Sequence, residues 1–195
     1  MAGYSLLIRI LIKYTGTEVN FMEELDDVLR AATAAVNQTY FTLSIAGGEA
    51  VFRERVYCYE LYHQMRAVWP EGCYYMLTGE VDKRAHPILK ELEADGKQPD
   101  LLVHRPGSMD DNFAIIEVKH SPAIGGIQKD LHTLDLFVRK VRYKRAIYLV
   151  YGYYGTDETA SKITTAAKEA GSTTPIEIWL HPAPGESAVM HSKLA

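Results

Sequence analysis

Two rhythms of apolar residues run along this chain. Residues 18–36 (EVNFMEELDDVLRAATAAV) place apolar side chains at helical spacing, with acids early and alanines late, which predicts a helix. Residues 49–68 predict a second helix, stopped by Pro70. Ile127, Leu131, Leu134, Val138 and Val141 mark the buried stripe of a long helix that follows Gly125-Gly126, and 158–169 predicts another. Shorter runs of β-formers lie between: Phe41–Ile45, ended by Gly47-Gly48; 73–82 (CYYMLTGEVD); Pro99–His104; Asn112–Lys119; 145–151 (RAIYLVY); and 176–180 (IEIWL). A polar stretch over 87–95 reads as partly helical, and RPGSMDD joins two of the runs through turn formers.

This order puts helices first, then a small sheet containing an antiparallel pair, then βαβ. The expected class is α/β, a small mixed sheet flanked by helices. No repeat or Pro/Ser-rich linker divides the chain, so one domain is expected over 1–195. Within it, 1–48 reads as an N-terminal helical addition and 182–195 as a flexible tail.

Composition narrows the function classes. A chain of 195 residues with 47% hydrophobic and 24% charged residues supports one sizeable core. A net charge of −4 excludes a globally basic nucleic-acid binder, though a local basic patch remains open. Arg139, Lys140, Arg142, Lys144 and Arg145 form one such run. It reads either as hydrated cations closing a helix or as a phosphate-tracking patch. Cys58 and Cys73 form no Cys-x-x-Cys pair, which excludes a zinc ribbon or disulfide framework and points to the reducing cytoplasm.

The N-terminal MAGYSLLIRILIKY is too short for a membrane span, and it lacks a basic leader and a clear cleavage site. It reads as a core segment or an oligomer contact, and so permits a homodimer. Tyr57, Tyr59, Tyr62, Tyr74, Tyr75, Tyr151, Tyr153 and Tyr154 read either as packing residues or as stacking surfaces for bases. The histidines show no metal-ligand spacing, and no nucleophilic triad emerges.

The chemistry concentrates in PDLLVH, from Pro99, and AIIEVKH, from Ala114. Pairing the two runs as a hairpin, with His104 opposite Phe113, sets Asp100 opposite Glu117. Alternation puts Glu117 and Lys119 on one face and Ile116 and Val118 on the other. Two carboxylates at one sheet end repel each other and are poorly hydrated, which raises both pKa values. A divalent cation relieves both problems. Mg²⁺, with Mn²⁺ as a substitute, needs few protein oxygens because it keeps several waters. Such an ion neutralises phosphate charge and acidifies water. Lys119 beside it would orient or deprotonate the water, or stabilise a pentacovalent phosphorane. The bland counterpart is a structural ion pair at a sheet edge.

Pro99-Asp100 followed by Glu117-Val118-Lys119 resembles the motif of the PD-(D/E)xK nuclease superfamily, whose fold is restriction-endonuclease-like. The resemblance spans about Glu49 to Val141. It implies Asp100 and Glu117 as Mg²⁺ ligands, the Val118 carbonyl as a further ligand, and Lys119 acting on water. It also implies a further glutamate from an upstream helix. Helical geometry favours Glu54, in line with Cys58, Leu61, Met65 and Val68, over Glu60, in line with Arg53, Gln64 and Ala67. Glu80 and Asp82 either widen the metal site or are solvated strand-end acids. Gln128, Lys129 and His132, after the motif, fall where the family places polar or basic contacts.

The expected function is therefore a Mg²⁺-dependent nuclease acting on nucleic acid, with DNA favoured. A nuclease-fold module that no longer cuts and serves as a binding subunit stands beside it. So does an enzyme that depends on a partner protein.

Overall fold

The run from Ala114 to Val118 is apolar on both faces except at Glu117, and a strand of that kind belongs inside a sheet. The computed structural model describes residues 18–79, 87–92, 94, 97–121 and 123–194. The helices are α1 (Glu18–Ala35), α2 (Gln38–Phe41), α3 (Glu54–Ala67), α4 (Pro87–Glu91), α5 (Ile124–Arg139) and α6 (Asp157–Glu169). The strands are β1 (Met76–Gly79), β2 (Leu101–His104), β3 (Asn112–Lys119), β4 (Arg145–Tyr151), β5 (Ile176–His181) and β6 (Val189–Lys193).

The six strands form one mixed sheet in chain order. β1 with β2 and β2 with β3 pair antiparallel, β3, β4 and β5 are parallel, and β6 returns antiparallel along β5. This is the expected α/β architecture.

Alternation divides the core into two layers. Leu101, Val103, Ile116, Val118, Ile147 and Leu149 meet α1 and α3 on one face. Leu102, Ile115, Ala146, Tyr148 and Val150 meet α4, α5 and α6 on the other. Helix α1 buries Phe21, Leu25, Leu29 and Ala32, at helical spacing, in the first layer. It is therefore integral to the core rather than an addition to it.

The expected tail is also corrected. Within 182–195, β6 pairs with β5 from Glu177↔Lys193 to Leu180↔Val189. The expected strand at Phe41–Ile45 is replaced by the end of α2, capped by Asn37, and a lone bridge from Leu43 to Val51. Residues 1–17, with the apolar N-terminus, lie outside the described residues. Among the described residues no helix is long and apolar enough to cross a membrane.

Arg145 opens β4 and is buried. It forms an ion pair with Glu177 at 2.6 Å and another with Asp26 of α1 at 2.6 Å. Its Nη1 also donates to the Met22 carbonyl at 3.0 Å. Arg145 therefore ties α1 to the sheet and is not part of a phosphate-tracking surface.

Candidate functional site

The expected hairpin register holds where it matters. Leu101 faces Ile116 and Leu102 faces Ile115, which carries Asp100 to a position across from Glu117. Near the turn the register slips between Val103 and His104, so His104 faces Asn112 rather than Phe113. The slip lies at the far end of the hairpin and leaves the acids aligned.

Asp100 and Glu117 are hydrogen-bonded to each other, so without a cation they share a proton. Burial pushes Asp100 up to about 6, opposed by the Val118 amide and Lys119. Burial, with Asp100 and Asp130 adding like charge, pushes Glu117 well above the usual carboxylate range. The Val118 N–H donates to Asp100 Oδ2 at 2.7 Å. In an extended strand the N–H and C=O of one residue point to the same side, so the Val118 carbonyl also points toward Asp100.

Lys119, two residues along β3, shares the face of Glu117. Its Nζ lies 3.2 Å from Glu54 Oε1 and 3.4 Å from Asp130 Oδ2. Burial pulls the Lys119 pKa down, but Asp130, Glu54 and Asp100 outweigh it and hold the amine above its ordinary value. Lys119 is thus a fixed cation in the metal-free protein. In that form it can orient water or stabilise developing charge, two of the roles expected for it. Glu54 stands at the first position of α3, where a helix favours an acid, and its Oε2 accepts from the His120 amide at 3.2 Å. Asp130 in turn accepts from the Tyr148 hydroxyl at 3.1 Å, and Tyr148 lies beside Glu117 in the sheet.

The structure brings together Asp100, Glu117, Lys119 and Glu54 and adds Asp130. Among the other described candidates, Glu60, Gln128, Lys129 and His132 do not join this group. Glu60 is buried, contrary to its expected place on the polar side of α3, and accepts from Gln64 Nε2 at 2.7 Å. It sits six residues from Glu54, about 9 Å along the helix axis. Val68, expected on the buried stripe, is exposed. Gln128, Lys129 and His132 are exposed on α5, while Asp130 turns inward. Glu80 and Asp82 lie outside the described residues.

Arg139, Lys140, Arg142 and Lys144 are exposed but near the start of β4, whose Arg145 faces Ala114 in β3. Lys119 faces Val150, five strand residues away, about 16 Å. The basic run therefore belongs to the opposite end of the sheet from the acids.

Asp130 had a legible signal. It falls within the stripe of Ile127, Leu131 and Leu134, so it is an acid on a buried helix face, the same feature that selected Glu54. Among the described residues no group of three His, Cys, Asp or Glu side chains has metal-site spacing. Asp100 and Glu117 fit a small oxygen-preferring cation as a two-carboxylate site, because a cation would replace the proton they share. The Val118 carbonyl is the third protein oxygen on that side.

An aromatic rim adjoins Lys119. Phe52 stacks on His120 with centroids 4.9 Å apart and meets Tyr153 edge-on at 5.0 Å. Gly152 lies against it with φ +82°, and a Cβ there would sit 2.6 Å from Phe52 Cε1. Gly152→Ala combines backbone strain with this clash and is expected to cost ~2 kcal/mol or more in urea unfolding. An unchanged unfolding midpoint would contradict this packing.

No family model and no curated protein matches the chain. Among solved structures, SfsA of Pyrococcus furiosus in complex with Ca²⁺ aligns with a TM-score of 0.35 and 14% identity, covering 79% of this chain and 75% of that one. A likeness at that TM-score carries no argument about this chain.

Proposed function

We propose that this protein is a divalent-metal-dependent phosphodiesterase of the PD-(D/E)xK type, acting on nucleic acid. The observation that carries the reading is a carboxylate pair at one strand end, Glu117 buried and Asp100 half-buried, beside a lysine held charged by neighbouring acids. A sheet-edge ion pair needs only one acid per base. Here a second acid is buried against the first, at a cost that a cation would offset.

Asp100, Glu117 and the Val118 carbonyl would hold Mg²⁺ or Mn²⁺. When bound, the ion neutralises phosphate charge and lowers the pKa of water. The chain's own part is mainly electrostatic and positional. Lys119 supplies a positive charge for the phosphate or the attacking water. Glu54 and Asp130 fix its amine from two sides, and Tyr148 fixes Asp130.

Labelled single-stranded DNA, plasmid and RNA, incubated with Mg²⁺, Mn²⁺ or EDTA, test this reading. Cleavage is expected with either metal, none with EDTA, and a loss of ~10²-fold or more in Lys119→Ala. Absence of metal-dependent cleavage, or cleavage unchanged by Lys119→Ala, would overturn it.

The acidic net charge of −4 and a length of 195 residues, which leaves little room for a recognition domain, favour a second reading, a nuclease-fold module that binds without cutting. Calorimetry separates the two. Mg²⁺ or Mn²⁺ binding that needs Asp100 supports the enzyme. Nucleic-acid binding with no metal binding supports the module.

A further inference from the structure

The exposed aromatic residues around the acids are not explained by the core. Tyr59 is 58% exposed on α3, and Tyr153 is 80% exposed in the turn after β4. An aqueous surface gives a tyrosine little reason to stand open, and large exposed rings near a site commonly mark a contact surface.

Their positions are specific. Tyr59 and Tyr62 line a cleft of about 340 Å³ whose other described walls are Cys58, Gly79, Leu101 and Asp100 itself. At the bottom of the size range of small-ligand pockets, it has room for a planar ring the size of a nucleobase. Gly79 forms one wall with backbone alone, packed against Tyr62, Leu101 and the Asp100 carbonyl. On the Glu54–Lys119 side, Tyr153 leans on Phe52, which stacks on His120, whose amide is bonded to Glu54. Aromatic faces thus flank the charged groups through two separate elements.

We propose that the substrate is a single-stranded nucleic acid, whose unpaired bases stack on Tyr59 and Tyr153 while the phosphate between them meets the acids. This rests on the proposed phosphodiesterase site and adds the substrate class. Stacking on exposed aromatic rings is open to unpaired bases and closed to bases inside a duplex. A duplex is gripped mainly through an array of Lys and Arg contacts to phosphate. Here the basic run lies at the opposite end of the sheet from the acids.

Fluorescence anisotropy with a phosphorothioate-linked oligothymidylate, and with a duplex of equal length, reads binding apart from cleavage. Both are measured with Mg²⁺ and with EDTA. The single strand is expected to bind ~10-fold or more tightly than the duplex in at least one condition. Tyr59→Ala and Tyr153→Ala should each weaken single-strand binding ~5- to 100-fold. Tyr59→Phe should retain it, since stacking needs the ring and not the hydroxyl. Both tyrosines are exposed, and a thermal melt confirms that each variant is folded. Single-strand binding within twofold of wild type in both alanine variants would overturn the proposal, as would equal or tighter binding of the duplex.

The two ideas fail separately. Duplex and single strand cut equally, with dependence on Lys119, would retain the phosphodiesterase and remove this substrate class. Tyrosine-dependent single-strand binding without metal-dependent cleavage would do the reverse.

Discussion

Glu117→Gln is expected to remove metal-dependent cleavage, by ~10²-fold or more, while making the metal-free protein more stable at pH 8. The first effect follows from losing one of two carboxylates at the proposed cation site. The second follows from linkage. A carboxyl whose folded pKa is raised contributes stability that is complete below its unfolded pKa and is lost as pH rises through the folded one. Asp100 is pushed to about 6, and burial raises Glu117 well above its usual range. Metal-free wild type should therefore lose stability between pH 5 and pH 8. The part due to Asp100 within that window is on the order of 1–1.5 kcal/mol, because about half of its loss falls below pH 5.

The amide introduced by Glu117→Gln carries no charge and can still donate to Asp100. The slope between pH 5 and 8 should flatten, and added Mg²⁺ should no longer raise the melting temperature. In wild type, Mg²⁺ stabilisation should grow as pH rises, because the ion competes with the shared proton. Urea unfolding at both pH values, with and without Mg²⁺, checks each statement. A variant less stable than wild type at pH 8 would show that the carboxylate pair is a favourable structural element.

Arg145→Ala is expected to destabilise the fold by ~3–5 kcal/mol, the cost of leaving a buried charge without its partner. Glu177 is 4% exposed and, among the described residues, would keep Lys193, at 3.7 Å, and the Trp179 indole N–H, at 3.3 Å. The contact from β4 to α1 through Asp26 would go with it. Arg145→Met combined with Glu177→Leu should lose less than either single change, because no lone charge remains buried. Urea unfolding at pH 7 checks this. A loss under about 1 kcal/mol for Arg145→Ala would contradict the arrangement.

Arg145 also shows where one-dimensional reading fails. In sequence it ends a basic run, and its neighbours Arg142 and Lys144 are exposed. Its partners, Asp26 and Glu177, are 119 and 32 residues away, and no local pattern joins them. Strand β3, strand β4 and helix α5 were legible because buried strands are nearly all apolar and a helix stripe repeats. Asp100 and Glu117 could be set opposite each other by counting along the hairpin, although the bulge at the turn end left no mark in the sequence. The acids were legible because they interrupt apolar strands.

Strand β6 was not legible. Val189–Lys193 is largely exposed, with no alternation to betray it, and its pairing is dictated by the open edge of β5. Asp130 is masked in the sequence by the exposed polar residues around it, Gln128, Lys129 and His132. Yet an acid inside a buried stripe is the stronger sign, and at Glu54 the same sign led to Lys119.

The central claim is that Asp100 and Glu117 hold a divalent cation in place of a shared proton. A crystal grown at pH 8 and soaked in Mn²⁺ tests it most directly, through anomalous scattering. The account predicts a peak between the two carboxylates, bonded to an oxygen of each, that disappears in Asp100→Asn. No peak there at millimolar Mn²⁺, or a peak unchanged by Asp100→Asn, would contradict it.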